Sequence, residues 1–259
     1  MAGRVDRRRV LALGAASLGM LPLVGCNLLS QNQKVRGVLD SAEFLTMHTQ
    51  RLVLSRKSLA QEFSEAEISS QFRANGSTSP DDPSYLKLAA DGFNDWRLEI
   101  AGLVDRPLQL SLYDLRAMPA RTQITRHDCV EGWSCIGKWT GVPLGAVLRR
   151  CELKANAKYI VFYCADTLGE SLDPASDKYY ESIDLIDAFH PQTILAYDMN
   201  DAPLGIPYGA PVRVRVERQL GYKMAKYIMR IEAVESFDHI GAGHGSYWAD
   251  RGYEWYAGT

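Results

Sequence analysis

The fold of this chain is decided by two neighbouring stretches, RHDCVEGWS at residues 126–134 and WTGVPL at residues 139–144. Cys129 follows a strand-like run and is flanked by Arg126 and His127, whose positive charge would favour the thiolate. A thiolate suits a soft metal or a role as nucleophile. These residues alone leave open a simpler interpretation, in which Cys129 is a buried free cysteine.

Other uses of the same residues are also considered. A zinc site formed by His127, Cys129 and Cys135 fits poorly, because no second Cys or His pair follows at a usual interval. A disulfide between Cys129 and Cys135 would suit an oxidising compartment. His127 and Asp128 could tune a metal or substrate from behind the ligand, or simply cap a strand end. The sequence contains no P-loop, no Gly-x-Gly-x-x-Gly after a strand, no His-Glu-x-x-His and no Gly-x-Ser-x-Gly.

Composition narrows the class of protein. The chain has 259 residues, of which 46% are hydrophobic and 23% charged, as in an ordinary globular enzyme. These values argue against a disordered, collagen-like or coiled-coil chain. The formal net charge of -2 argues against general nucleic-acid binding.

The first 26 residues have the pattern of an export signal. Basic residues at 7–9 precede an apolar run, Val10–Val24, that is too short to span a bilayer comfortably. The sequence DRRRVL at residues 6–11 resembles a twin-arginine signal, which implies the twin-arginine export machinery as a partner and export in the folded state. LVGC at residues 23–26 resembles a lipobox, so we expect a periplasmic protein anchored through a lipid on Cys26. An ordinary cleavage site beside a plain cysteine is the alternative.

The remaining pattern predicts an α+β fold. Strand-like runs are found at Trp96–Ile100, Thr122–Thr125, Tyr159–Cys164, Thr193–Tyr197, Val212–Val216 and Lys226–Val234. Short helices are predicted after the capping box at Ser111, over Val142–Arg150 and over Asp184–Ala188. Because the helices are few and short, they do not form alternating βαβ units, and we expect mixed or antiparallel sheets.

We divide the chain into four parts. These are the signal and lipobox (1–26), a tether and N-terminal arm (27–72), the main domain (73–240) and a tail rich in Gly, Trp and Tyr (241–259). Asn75–Pro83 is predicted to be a loop, because turn-forming residues are concentrated there. The tail is expected to pack on the domain in a structural role. Tyr179–Glu181 is placed between strand-like runs, with aromatic rings that pack or line a pocket mouth.

A family resemblance adds to these inferences. The two stretches that open this section resemble the molybdenum-cysteine segment of the sulfite oxidase family, and most closely its short bacterial branch of periplasmic methionine sulfoxide reductases. The likeness continues, in the family's order, through NAKY (156–159), HPQT (190–193), GAPVR (209–213) and GYKMAK (221–226). It covers about residues 73–235.

The resemblance implies a cofactor and the residues that hold it. The main domain would have the sulfite oxidase fold and bind Mo-molybdopterin, with Cys129 as the molybdenum ligand and catalytic residue. Arg213 and Lys226 would hold the pterin and its phosphate. The full set of expected cofactor contacts is Asn75, Cys129, Cys164, Tyr208, Arg213, Met224, Ala225 and Lys226. Lys223 could add charge.

Two positions depart from the branch it resembles. Cys164 and Tyr208 stand where the sulfoxide reductases have a threonine and an asparagine. These differences imply a pocket that is lined differently around the metal.

The resemblance also implies an activity. We expect oxygen-atom transfer at an oxo-molybdenum centre, with reduction of an S-oxide or N-oxide preferred over sulfite oxidation. The alternatives are a cofactor-free periplasmic lipoprotein that binds a partner, and a thiol-dependent or zinc protein that uses Cys129 and Cys135. Because no Cys-x-x-Cys-His haem motif occurs, electrons would pass through a separate carrier, a membrane cytochrome b or a cytochrome c. The chain ends soon after the motifs, so we expect a monomer.

Overall fold

The computed structural model describes residue 42 and residues 45–53, 55–169 and 177–259. The signal, the lipobox and part of the tether lie outside the described residues. The chain divides into two units, Met1–Leu52 and Val53–Thr259. Residues 45–53 are helical, and no helix in the described ranges is long and apolar enough to cross a membrane.

The second unit contains two five-stranded sheets. The first has the strand order β2-β1-β10-β5-β6 and pairs β1 with β10 in parallel, whereas its other neighbours are antiparallel. Its strands are β1 (Arg97–Gly102), β2 (Leu108–Ser111), β5 (Tyr159–Thr167), β6 (Lys178–Asp184) and β10 (Ile228–Val234).

The second sheet is antiparallel throughout. It has the order β3-β4-β7-β8, and β9 also pairs with β7. Its strands are β3 (Arg121–Asp128), β4 (Ser134–Pro143), β7 (Ile194–Met199), β8 (Ala202–Pro203) and β9 (Arg213–Arg215). The predicted α+β class with mixed and antiparallel sheets is therefore confirmed.

The helices are short. They are α1 (Pro83–Ala90), α2 (Leu112–Arg116), α3 (Leu144–Cys151) and α4 (Leu185–Ala188), with single 3₁₀ turns at Glu65–Glu67, Ile206–Tyr208, Gly221–Lys223 and Ala249–Arg251. The capping box at Ser111 forms as predicted, because its side chain accepts from the Asp114 amide while the Asp114 carboxylate accepts from the Ser111 amide. Asp82 caps α1 by accepting from the amides of Ser84 and Tyr85.

Three elements differ from the sequence-based prediction. Val142 belongs to β4 and precedes α3, rather than starting a helix. Tyr179–Glu181 lies within β6 and not between strands. β4 was not predicted, because it contains Gly137, Gly141 and Pro143, and glycine and proline are uncommon inside strands.

The core is divided into a large and a small cluster. The large cluster combines buried residues of both sheets with the inner face of α3. The small cluster surrounds Trp139 on β4, where Phe72 makes an edge-on contact with ring centroids 5.3 Å apart. The packing holds the β3–β4 turn and the end of β5 close to the 3₁₀ turn at Gly221–Lys223, and these segments surround one cavity.

Candidate cofactor-binding site

One cavity of about 360 Å³ brings together segments that are far apart in the sequence. Its walls are Asn75, Gly76 and Ser77 from the loop before α1, Cys129, Val130 and Glu131 from the β3–β4 turn, Asp166 and Leu168 at the end of β5, Tyr179 on β6, then Gly221, Tyr222, Met224 and Lys226, and finally Trp248 and Tyr253 from the tail. A thiol, a carboxyl and an ammonium group therefore share one concave, partly aromatic surface.

Cys129 is held by the tight turn that joins β3 to β4. Its amide donates to the Trp133 carbonyl at 2.9 Å, and its own carbonyl accepts from the Gly132 amide at 3.0 Å. Gly132 adopts φ +84, a left-handed conformation that glycine accepts without strain. Burial raises the pKa of the half-buried Cys129 thiol, although the amides of Glu131 and Val130 favour the thiolate. Without a metal, the thiol is protonated at neutral pH.

The expectation that Arg126 and His127 activate Cys129 is wrong. Arg126 forms an ion pair with Asp128 at 2.8 Å. His127 is fully buried, and Arg215 donates to its Nδ1 at 3.0 Å, which leaves the proton of a neutral ring on Nε2. Burial and the positive charge of Arg215 hold the His127 pKa well below its ordinary value. Neither side chain supplies a positive charge beside the thiol.

Lys226 ties the loop before α1 to the 3₁₀ turn at Ile206–Tyr208. Its ammonium group donates to the carbonyls of Asn75 at 2.7 Å, Ser77, and Pro207 at 3.2 Å. Burial, together with Arg213, lowers the Lys226 pKa to about 7. An anion bound in the cavity would therefore be attracted to the Lys226 ammonium group, and would in turn raise the Lys226 pKa and favour the charged form of this lysine.

Arg213 lies behind the wall instead of lining the cavity. Its guanidinium stacks 5.0 Å from the Trp139 ring centroid and donates to the carbonyls of Tyr208 at 3.0 Å and Met224 at 3.3 Å. Arg215 stacks on the same ring at 4.4 Å. Burial lowers the Arg213 pKa to about 9. In this structure, Arg213 holds the backbone of the wall in position.

The other predicted contacts fall into two groups. Asn75, Met224 and Lys226 line the cavity together with Cys129. Ala225, Cys164 and Tyr208 do not. Ala225 is buried, Cys164 is enclosed in the large core cluster, and the Tyr208 hydroxyl donates to the Phe72 carbonyl at 3.1 Å. Cys164 and Tyr208 thus pack against other protein groups and do not line the cavity. Their difference from the family pattern therefore does not change the cavity walls.

Sequence reasoning missed several residues that line the cavity. Asp166 ends an apolar strand, and a charged residue in such a run could have marked it. Trp248 and Tyr253 come from the tail, for which only a structural role was expected. Their rings lie 5.0 Å apart, and Tyr222 contacts Tyr253 at 5.5 Å. The tail and the 3₁₀ turn at Gly221–Lys223 therefore form an aromatic wall on one side of the cavity, made of Tyr222, Trp248 and Tyr253.

The thiol and zinc alternatives gain no support from the geometry. Cys129, Cys135, Cys151 and Cys164 are all free thiols, so the suggested disulfide is absent. Among the described residues, no three His, Cys, Asp or Glu side chains are grouped as a metal site would need. Lys223 adds no charge to the cavity, because it is fully buried against Glu181 at 2.5 Å.

These residues fit a metal cofactor that brings most of its own ligands. Cys129 offers one soft sulfur donor, and a metal bound there would deprotonate it. Gly221 lets this part of the wall pack closely against the buried His127 ring, because a Cβ at this position would lie 2.3 Å from the His127 Nε2 atom. Lys226 offers a buried cation for an anionic part of the cofactor. The fold and site thus suit a cofactor-dependent protein, in which Cys129 would be the one cysteine ligand.

Comparison with known proteins identifies the family. Residues 86–239 match the oxidoreductase molybdopterin binding domain. A protein of Azospira oryzae, named "Putative protein-methionine-sulfoxide reductase subunit YedZ1", is 34% identical over 258 residues, which cover 100% of this chain and 88% of that protein. The chain belongs to the molybdopterin-binding oxidoreductases of the sulfite oxidase family and is a molybdenum-cofactor-dependent enzyme.

Other relatives match over a smaller part. The protein-methionine-sulfoxide reductase catalytic subunit MsrP of Xanthomonas campestris is 38% identical over 54% of this chain and 45% of its own length. The MsrP of Campylobacter jejuni is 31% identical over 66% of this chain and 60% of its own. The sulfane dehydrogenase SoxCD structure from Paracoccus pantotrophus aligns with 24% identity and a TM-score of 0.48, over 55% of this chain and 39% of that one.

Proposed function

We propose that this enzyme reduces S-oxides by oxygen-atom transfer, and that a methionine sulfoxide side chain is its preferred class of substrate. The observation that carries the proposal is the placing of Cys129, Lys226 and an aromatic wall around one cavity. The Azospira oryzae relative, which matches along this whole chain, is named as a subunit of a reductase for that substrate. The MsrP relatives carry the same substrate in their names.

Each part of the cavity has a separate task under this proposal. Cys129 binds the metal, while Lys226 and the Asn75 loop hold the anionic part of the cofactor. When bound, the molybdenum cofactor supplies the two-electron chemistry of oxygen-atom transfer. The aromatic wall of Tyr222, Trp248 and Tyr253 excludes water and offers ring faces and edges to sulfur.

The cellular setting is part of the same proposal. The twin-arginine-like signal sends the folded enzyme to the periplasm, where a lipid on Cys26 holds it at a membrane face. A separate carrier, a membrane cytochrome b or a cytochrome c, delivers the electrons to a monomeric enzyme. The absence of a Cys-x-x-Cys-His motif from the sequence supports a separate carrier.

The first experiment is elemental analysis of the protein exported with its own signal, combined with fluorescence of the released, oxidised pterin. We expect about one molybdenum and one pterin per chain, as one cysteine ligand and one cavity would hold. The loaded enzyme is then assayed with free and peptide-bound methionine sulfoxide, an N-oxide and sulfite. Turnover of sulfite alone would replace the proposed direction with oxidation. A protein without molybdenum or pterin, from a host that makes the cofactor, would favour the partner-binding lipoprotein, and zinc would favour the thiol alternative.

A further inference from the structure

Asp166 is a buried acid in the cavity wall, and one of its carboxylate oxygens lacks a hydrogen-bond partner among the described residues. It is 3% exposed and lines the same cavity as Cys129 and Lys226. Its Oδ1 atom is buried and has no hydrogen-bond partner within the described part of the chain. A buried carboxylate oxygen left in this way is costly. Because a buried carboxyl of this kind lowers stability, its position in the cavity wall points to a role in binding or catalysis.

The charges around Asp166 do not hold it ionised. Burial raises the Asp166 pKa to about 6, and Lys226 and Lys178 only partly oppose that effect. Lys178 is already paired with Asp82 at 2.5 Å, and the Lys226 ammonium is taken up by three carbonyls. The negative charge of Asp166 also raises the pKa of four neighbouring groups, which are Tyr85, Cys164, Tyr179 and Tyr227.

Those other groups are poor proton donors. Burial raises the pKa values of Tyr179 and Cys164 well above their ordinary values. The Tyr179 hydroxyl donates to the Tyr222 carbonyl at 2.5 Å, and the Tyr227 hydroxyl donates to the Ser77 carbonyl at 2.9 Å. Lys226 also has a pKa of about 7, but its ammonium group already donates to three carbonyls. The Glu131 carboxylate pairs with Arg73 and accepts from the Trp133 indole. Asp166 is therefore the buried cavity acid best placed to donate a proton near neutral pH.

Building on the proposed function, we propose that Asp166 is the general acid that protonates the oxygen leaving the S-oxide. Over the whole turnover, the S–O bond breaks, and the sulfur gains the two electrons that the bound cofactor would supply. The oxygen ends as water after taking up two protons, one donated by the Asp166 carboxyl and one from solvent. The Asp166 carboxylate then recovers its proton from solvent.

The test uses full-length holoenzyme carrying Asp166→Asn or Asp166→Glu. Asp166→Asn should lower kcat about 100-fold and remove the fall in kcat that the wild type shows as pH rises through the range where Asp166 ionises. Asp166→Glu should recover part of the rate with a displaced pH profile. The matched control is Asp198→Asn, because Asp198 pairs with Arg116 at 2.5 Å and does not line the cavity. All variants should keep the molybdenum and pterin content of the wild type.

Infrared spectroscopy provides a readout that does not depend on turnover. The carbonyl band of a protonated carboxylic acid should appear in the wild type at pH 5, disappear at pH 8 and be absent from Asp166→Asn. An unchanged kcat and pH profile in Asp166→Asn, loss of pterin from it, or a missing carboxyl band would overturn the proposal. A molybdenum-loaded wild type that reduces no S-oxide would overturn the proposed function as well, whereas an unaltered variant beside an active wild type would overturn only the role of Asp166.

Discussion

Under the proposed function, the negative charge of Cys129 depends on the bound metal. Burial keeps the pKa of the thiol above its ordinary value, and the positive side chains nearest to it in sequence are directed elsewhere. The metal-free protein should therefore react slowly with alkylating agents at neutral pH. Coordination reverses this state by deprotonating the sulfur.

Replacing Cys129 should separate catalysis from folding. Cys129→Ser exchanges a soft sulfur ligand for a harder oxygen, so we expect activity to fall by more than about 100-fold with little change in Tm. Cys135→Ser is the control, because Cys135 is a free thiol outside the cavity walls. Full turnover in Cys129→Ser would contradict the assignment.

Lys226 should matter most for retention of the cofactor. Lys226→Met removes a donor shared by the carbonyls of Asn75, Ser77 and Pro207 and a cation from the cavity. A charged hydrogen bond contributes about 1.5–3 kcal/mol, so the affinity for pterin should fall about tenfold or more. Pterin fluorescence per chain measures this loss. Lys138→Met, which removes a lysine paired with Glu65 and Asp201, should retain the pterin.

Single residues show how far the site could be predicted. The motif resemblance selected Cys129, Asn75, Met224 and Lys226, which the fold brings to one cavity. It could not select Asp166, because its proposed role follows from burial and from an Oδ1 atom that has no hydrogen-bond partner among the described residues, and only the packed structure defines both. Packing also explains the wrong prediction for His127. Its closeness to Cys129 in the sequence suggested that it favours the thiolate, but the ring is buried against Arg215.

At the scale of elements, the short 3₁₀ turn at Gly221–Lys223 limits how the cavity wall can vary. Gly221→Ala would place a Cβ 2.3 Å from the His127 ring. Because the buried ring is held by Arg215, we expect a cost of about 1–3 kcal/mol, seen as a fall in Tm of roughly 2–10 °C. Gly205→Ala is the control, since its nearest new contact is at 3.6 Å. Equal Tm values for the two variants would contradict this close approach.

Elements with simple periodicity were predictable. The alternating pattern that starts at Trp96 gave β1, and the Ser111 capping box gave α2. β4 and β6 were not predicted, because glycines interrupt β4 and β6 is buried along most of its length. A strand of that kind lacks the alternation of polar and apolar residues by which a half-exposed strand is detected.

At the scale of the whole molecule, Asp166 should make the free energy of unfolding depend on pH. Its folded pKa of about 6 lies above the ordinary value of 3.8, so the folded state binds more protons between these values. Stability contributed by the protonated form is present below pH 4 and lost as pH rises through 6. Asp166→Asn should therefore gain stability relative to the wild type, by up to about 3 kcal/mol, between pH 4 and pH 8. Chemical denaturation at the two pH values measures this difference, and the opposite trend would contradict it.

Because β1 pairs in parallel with β10, the first sheet cannot finish folding until β10 has been synthesised. β1 begins at Arg97 and lies between β2 and β10, yet β10 begins only at Ile228. During synthesis, the ribosome releases β1 long before its central neighbour exists, and closing such a long loop is slow. The first sheet therefore closes only after β10, which ends at Val234, has been translated. Cofactor loading must follow translation, before any export in the folded state.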